Sequence, residues 1–530
     1  MTSVAVRAGR REWCGLGVLV LVTLIISMDM TVLSYAVPFI SAQLEPTSGQ
    51  LLWITDIYAF VLSGLLIPMG TLGDRIGRRL LLMLGATAFA LASAATAYAS
   101  SPEMLIAGRA VMGAAGATLM PSTMSLIRTM FHDEQQRRAA IGIWSSGFSL
   151  GGVLGLLVGG ALLQHFRWGS VFLINVPVMV VLLALAPVLL PEYRAPRAGR
   201  FDLLGTLLLF VSVLPAIWGI KQFAQDGWGW PQLAGVVIGP MLFVAFVLRE
   251  RRLSAPMLDV GLFRSPAFGA AVVTNLLANF ALVGFMFLIT QFLQLVIGLQ
   301  PFTAGLWSLP AAAAAGIAAA GLAPALTRMM RHAYVIAAGL LVATAGFAVL
   351  AQVNAGSGLA IVVTGHALVS GGIAMVLTLT AELIVTTVPP ERAGSASGLS
   401  ETASQFGSAL GVALIGSLAA FVYRGDLADH APPGVPGSVL DAARDTLGAA
   451  VAAARQLPAT AGNALTAAAR SAFAQETRIA ALVVGAVLLF TAVVASLLLR
   501  RVSRPGPPPV TEEERSSESV AEAGQSTTSV

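Results

Sequence analysis

Only one cysteine, Cys14, occurs in 530 residues. One thiol can form neither an internal disulfide nor a cysteine-built metal centre. Charge is scarce as well: Asp, Glu, Lys and Arg together make up 11% of the chain, against about 25% in soluble globular proteins. No nucleotide-binding loop, metal-ligand cluster or nucleophile–base constellation is visible, so neither a cofactor nor an enzymatic reaction is expected. The pI near 9.9 would suit a nucleic-acid partner. The basic residues, however, sit in short segments between apolar runs, where membrane topology accounts for them. What fills the chain is apolar: 56% of residues are hydrophobic and the mean hydropathy is +0.82. Uninterrupted apolar runs of about 20 residues are long enough to cross a bilayer as helices. Inside lipid, only helices or closed barrels satisfy their own backbone polar groups.

The runs predict about fourteen transmembrane helices at 14–40, 51–72, 80–99, 103–127, 139–163, 169–191, 201–223, 231–249, 268–296, 303–327, 333–352, 358–386, 395–423 and 477–500. With the N-terminus in the cytoplasm, twenty-three of the 31 basic residues fall in inner segments and seven in outer ones. Arg109 alone is left within a span. Five of the outer seven lie between Arg424 and Arg478, at the one long outer loop. The bias puts both termini inside. The first apolar run outlasts a signal-peptide core and ends in no small-residue cleavage site, so it reads as a retained span. The outer loop, 425–476, carries two Ala-rich segments split at Pro458 and reads as a helical hairpin outside the membrane, a cap or spacer. The tail 501–530 is rich in Pro, Ser and Glu and is expected to be disordered.

Three motifs stand out. The loop between spans two and three holds Gly70, Gly73, Asp74, Arg75, Gly77, Arg78 and Arg79. Its glycines permit tight turning, and Asp74 is expected to meet a helix N-terminus or an arginine across the half-bundle, as a charge lock. In span four, Arg109 is an arginine in lipid, expected to face a carboxylate or a wet cavity. Snorkelling to the outer face is the alternative, since Arg109 lies roughly 9 Å from the start of its span. In span five, Gly151, Gly155 and Gly159, followed by Gly160, place glycines on one face for close helix packing.

Four carboxylates lie in or near spans: Asp29, Asp56, Glu382 and Glu401. A carboxylate taken out of water holds its proton more tightly. Charged, it attracts a cation; protonated, it releases one, so a single group can exchange protons for cations. Asp29 is deepest and is the leading candidate, against a satisfied buried pair with Arg109. For Glu382 the alternative is a charge facing inner-leaflet headgroups. Met28, Met30, Trp53, Tyr58, Trp144, Phe148 and Phe406 are candidates to line an apolar cavity, because cations bind ring faces and methionine adapts to varied shapes.

Together these residues resemble the major facilitator superfamily, and within it the fourteen-span drug:proton antiporters that export quinolones, methyl viologen and quaternary ammonium compounds. The stretches that carry the resemblance are Met28–Pro38, Trp53–Tyr58, the 70–79 loop, Gly116–Ile127, the 142–160 glycine helix, Phe172–Pro177, Pro256–Phe263 and Pro389–Gly411. The resemblance implies an all-α membrane fold with a cytoplasmic N-terminus (1–13), six-helix halves at 14–191 and 268–500, and two inserted helices at 201–249. It implies alternating access around a midplane cavity. The expected activity is proton-coupled export of lipophilic, mostly cationic drugs across the plasma membrane by a monomer. The alternatives are export of one endogenous metabolite or a non-transporting receptor. Leu156 stands where the family usually has proline, and the stretch Ala311–Gly316 lacks the acid that some relatives use for dications.

Overall fold

The computed structural model describes residues 7–194, 202–226, 229–253, 260–388, 393–433 and 435–499. The tail expected to be disordered (501–530) and residues 389–392 lie outside the described residues. Among the described residues, fourteen helices are long and apolar enough to cross a membrane. They are α1 Arg10–Leu44, α2 Ser48–Ile76, α3 Arg78–Ala97, α4 Pro102–Met130, α5 Glu134–His165, α6 Ser170–Leu189 and α7 Leu204–Gln222. The second set is α8 Trp230–Glu250, α9 Pro266–Val296, α10 Pro301–Met329, α11 His332–Leu350, α12 Leu359–Thr386, α13 Ala396–Asp429 and α14 Ala459–Leu499.

Local sequence sets the helix starts. Thr47 caps α2 by accepting from the Gln50 N–H, and the Gln50 side chain reaches back to the Thr47 N–H, which satisfies two orphan donors at once. Ser101, Asp133 and Ser265 cap α4, α5 and α9 in the same way, the first and last followed by proline at the first helical position, where no N–H is needed. Prolines inside spans, such as Pro38, Pro68 and Pro121, are tolerated because neighbouring helices satisfy the freed carbonyls.

The packing repeats itself. In the first half α1 packs on α5 and α6, α2 on α4, and α3 on α4 and α6; eight elements later α9 packs on α13 and α14, α10 on α12, and α11 on α12 and α14. The helices α7 and α8 pair with each other, and α7 rests on α2 and α13 where the halves adjoin. The bundle has an arginine-rich end, carrying the α2–α3 turn, and an opposite end closed over by the 425–476 segment, the loop end.

That segment is not a free hairpin. Its first Ala-rich arm forms two short helices, Gly437–Ala443 and Leu447–Ala454. Its second arm runs without a break into the last span, giving one helix of 41 residues. At 1.5 Å per residue this is about 60 Å, twice the hydrocarbon thickness, so α14 projects well past the bilayer. Between Pro458, which sets its start, and Leu499 there is no proline and only two glycines, Gly462 and Gly485, in an alanine- and leucine-rich run. The segment is tied down across the bundle: Ser48 Oγ donates to Asp445 O (2.5 Å), Arg424 pairs with Asp445 (3.0 Å), and Arg470 Nε donates to Leu295 O (2.8 Å).

At the arginine-rich end, Asp202 starts the first inserted helix, accepting from the Gly205 N–H (2.9 Å) and taking Arg249 of α8 on both oxygens at 2.7 and 2.8 Å. The Arg249 hydrogen bonds, with help from the Gly205 amide, hold the Asp202 carboxyl below the usual range despite partial burial. A depressed folded-state pKa contributes stability that is complete above the ordinary carboxylate range and is lost as pH falls toward the depressed value. Amides at the start of α7 are therefore expected to exchange hydrogen faster as pH drops below about 4, after correction for intrinsic exchange. Asp202→Asn should already exchange fast at neutral pH, and equal protection in the two proteins would contradict this capping role.

Candidate functional site

Asp29 sits on α1 and Arg109 on α4, and their side chains are each only 1% exposed. Arg109 Nη1 lies 2.5 Å from Asp29 Oδ2. Its Nε donates to the Ile54 carbonyl of α2 (3.3 Å), and its guanidinium stands 4.7 Å from the centroid of the Tyr58 ring. The second oxygen of Asp29 accepts from Asn175 Nδ2 of α6 (3.1 Å), and the same amide reaches Ser93 Oγ of α3 (3.2 Å). Five helices thus converge on one carboxylate.

The sixth, α5, holds α1 from behind. Gly151 faces the Leu24 backbone and Gly155 faces Thr31 and the Met28 carbonyl, both too close for an added Cβ, and Gly159 packs tightly on Val32. Arg109 does not snorkel: an ion pair, a carbonyl and a ring face satisfy it inside the protein, which a buried cation requires. The small residues of α4 allow this, since Gly113 abuts the Tyr58 backbone and Gly116 the Tyr58 hydroxyl. The pair expected as the alternative to a functional Asp29 therefore exists, with Asn175 added. Asn175 was not singled out from the sequence; its signal is a lone amide in the apolar run Val171–Val178.

The other acids differ in surroundings. Asp56 of α2 is buried against Lys221 of α7, with Nζ 2.7 Å from Oδ2. Lys221 corrects the sequence reading, which counted it among outer-segment residues and left Arg109 as the one cation within a span. The helix continues to Asp226, keeping Lys221 inside, where a carboxylate neutralises it. The available signal was composition: Lys221 is the only lysine in the chain. Glu401 of α13 is half-buried and accepts from Gln405 Nε2 (2.9 Å); among the described residues no cation pairs with it. Its neighbours Leu399, Thr402, Ala403 and Phe406 line an apolar cavity of about 500 Å³ between α2, α7, α8, α9 and α13. Glu382 is 49% exposed and lies 3.6 Å from His332 Nε2, at the surface rather than in the interior.

The seven cavity candidates divide among several places. Met28 and Tyr58 are core residues, and Met30 is half-buried against that core. Trp144 and Phe148 form an edge-to-face pair (5.3 Å) on α5, and Trp144 Nε1 donates to Thr123 Oγ1 (3.2 Å). Trp53 and Phe406 line two different cavities.

In the 70–79 turn, Asp74 pairs with Arg78, four residues on, at 2.6 Å. That partner is local, not one across the half-bundle. The acid at the helix N-terminus is instead Glu192, which follows α6 and accepts from the N–H groups of Arg79 (3.1 Å) and Leu80 (3.2 Å). Gly77 has φ +116° and Glu192 packs where a Cβ would stand, so this position requires glycine. Gly73 packs on Arg78, Gly70 makes only ordinary contact with Pro121, and Arg79 Nη1 donates to Leu190 O (3.0 Å). The turn is thereby clasped to the end of α6.

The halves meet toward the loop end. Tyr35 Oη and Ser308 Oγ are 2.7 Å apart, Gln164 Nε2 donates to Gln300 Oε1 (2.9 Å), and Gly160 packs on Pro301 and Phe302. Gly305 packs on the Leu156 carbonyl, and α5 is continuous through the position where the family's proline is replaced. Toward the arginine-rich end, Gly142 of α5, Gly316 and Gly321 of α10 and Gly398 of α13 have open space where a Cβ would stand.

Residues 19–412 match the Major Facilitator Superfamily. The chain is 40% identical to the multidrug efflux pump LfrA of Mycolicibacterium smegmatis, over 93% of this chain and 98% of that protein. It is 34% identical to the methyl viologen resistance protein SmvA of Salmonella typhimurium (93% and 99%) and 32% identical to the tetracenomycin C resistance and export protein of Streptomyces glaucescens (93% of each). Among solved structures, the inward-facing, unoccupied bacterial homolog of the human lysosomal transporter Spinster superposes with TM-score 0.68 at 20% identity, over 94% of this chain and all of that one. The match across most of the length, the repeated six-helix packing and the fourteen apolar helices make this chain a member of the Major Facilitator Superfamily.

Proposed function

We propose that the protein is a proton-coupled antiporter that exports lipophilic, mostly cationic drugs across the plasma membrane. The observation that carries this reading is the Asp29 carboxylate, enclosed by α1, α2, α3, α4 and α6 and balanced by one guanidinium. Protonation of Asp29 would remove half of a buried ion pair and free Arg109, which links proton uptake to the packing of the whole half-bundle. The arginine-rich end is read as cytoplasmic, with both termini there. In the proposed cycle the carrier, when open to the cytoplasm, loses a proton and binds a cation. After rocking to the outside it takes a proton at Asp29 or Glu401 and releases its cargo. The 70–79 turn and its Glu192 clasp move as one piece with α3 and α6. The names of two relatives, a multidrug efflux pump and a methyl viologen resistance protein, support the substrate class. A monomer suffices for this cycle.

The test is transport by purified protein in liposomes under an imposed pH gradient, with a panel of cationic and neutral dyes. Cationic dyes are expected to move against their gradient, and collapse of the pH difference should stop net transport. Transport indifferent to the gradient would overturn the coupling. The relative named for export of a single compound, tetracenomycin C, favours a second reading, a dedicated exporter of one metabolite. A panel on which one compound alone is moved would select it.

A further inference from the structure

Lys221 occupies a position with the features of a ligand site. Its ammonium lies 2.7 Å from the Asp56 carboxylate on one side and 3.8 Å from the centroid of the Trp53 ring on the other. A carboxylate and an indole face meeting at one point are what recognises an organic cation. Trp53 and Asp56 are three residues apart on α2 and therefore share a face, while the cation comes from an inserted helix. The fit is incomplete: Lys221 Nζ meets one carboxylate oxygen at 2.7 Å and a ring face, with no further hydrogen-bond acceptor among the described residues for its other N–H groups. An ammonium with three N–H donors keeps unmet demand there; a quaternary ammonium or phosphonium has none to meet.

The site also has an exit. Trp53 and Lys221 form part of the wall of a cavity of about 660 Å³ at the loop end, together with Trp218 of α7 and the paired charges of the loop. Those charges are paired within the loop end, Arg424 with Asp445 (3.0 Å) and Arg444 with Asp441 (3.1 Å), whereas Asp56 draws its counter-ion from an inserted helix.

We propose that Asp56 and Trp53 form a second cation site near the exit, occupied in the resting protein by Lys221, and that a lipophilic quaternary ammonium or phosphonium ion displaces the lysine into the 660 Å³ cavity. The inserted helix pair thereby acts as a gatekeeper of that site. The inference rests on the transport reading for its purpose but is tested at equilibrium, with no pH gradient. Failure of proton coupling in liposomes would leave it standing, and its own failure would leave exchange at Asp29 untouched.

Because Lys221 is the only lysine, an amine-reactive reagent followed by peptide mass spectrometry reports on it alone, apart from the N-terminal amine. In intact protein in nanodiscs, saturating tetraphenylphosphonium is expected to raise the labelling rate of Lys221 roughly threefold or more by shifting the side chain toward its displaced position. Lys221→Met should bind tetraphenylphosphonium about tenfold more tightly than wild type, because the ring face is vacated, and adding Asp56→Asn should cancel the gain. If labelling is unchanged under bound tetraphenylphosphonium, or if neither wild type nor Lys221→Met binds it, the pair is a fixed clasp and the proposal fails. Should Lys221→Met not fold, the wild-type labelling decides alone.

Discussion

Replacing Asp29 by asparagine is expected to reduce gradient-driven efflux of an organic cation to the background of protein-free liposomes, a loss on the order of 100-fold if this carboxylate carries the whole coupling free energy. The substitution removes the proton-exchanging group and little else. Asparagine has the same shape; with its oxygen toward Arg109, its Nδ2 faces Asn175, whose amide turns over to accept through an Oδ1 that has no other partner among the described residues. Arg109 retains the Ile54 carbonyl and the Tyr58 ring face. Removing one partner of a buried pair typically costs about 3–5 kcal/mol. An amide oxygen that still accepts from the guanidinium keeps the cost below that range. In the proposed cycle Asp29 passes through a protonated, neutral form, so the fold is expected to tolerate a neutral group here. Size-exclusion profile and thermal melt should therefore stay close to wild type while coupled transport disappears. Exchange of cargo down its own gradient should persist in the variant. Coupled efflux at the wild-type rate in Asp29→Asn would refute the assignment, and a misfolded variant would be recognised by the melt. The pair is then retested with Asp29→Asn combined with Arg109→Met, which leaves no buried charge to destabilise the fold.

The second large effect is structural, and it separates neighbouring glycines. Gly151→Ala places a methyl inside van der Waals contact of the Leu24 carbonyl, a backbone atom with no rotamer to escape into, whereas at Gly152 the nearest atom to an added Cβ is Ser27 Oγ at 3.6 Å. Overpacking of this kind costs about 1–3 kcal/mol. It is relieved only by moving α1 and α5 apart, which also shifts Asp29 relative to Arg109. Gly151→Ala is therefore expected to lower both the melting temperature and the coupled transport rate, while Gly152→Ala leaves both near wild type. Thermal melts of the two variants in the same detergent, with transport assays beside them, make the comparison. Equal behaviour would mean that the glycine stripe does not set the α1–α5 distance.

The number of spans and their approximate bounds were legible because a bilayer imposes its thickness on each apolar run, a one-dimensional constraint that sequence carries in full. The acids and Arg109 were legible for a related reason: a charge in an apolar run is expensive, so its presence points to a partner. The glycine face of α5 could be read as well, since helical periodicity alone places Gly151, Gly155 and Gly159 on one stripe.

Partnership is where sequence reading stopped. Asp29 and Arg109 lie 80 positions apart, and Asn175 reaches the same carboxylate from 146 positions away. Asp56 takes its counter-ion from an inserted helix that periodicity cannot orient. Asp74 proved to have a local partner while Glu192 took the helix N-terminus, and Glu382 lies at the surface although its run is apolar. The continuity of α14 through the outer segment is likewise a tertiary result, since helix propensity outside lipid is too weak to decide between one helix and two. By itself the sequence determined which segments are apolar enough to enter the membrane, most of the ionisable groups that go with them, though not Lys221, and where helices can approach closely, because each follows from the pattern along a single chain. The tertiary structure decided which charge neutralises which, and where the two halves touch, because these depend on distances between helices that no local pattern encodes.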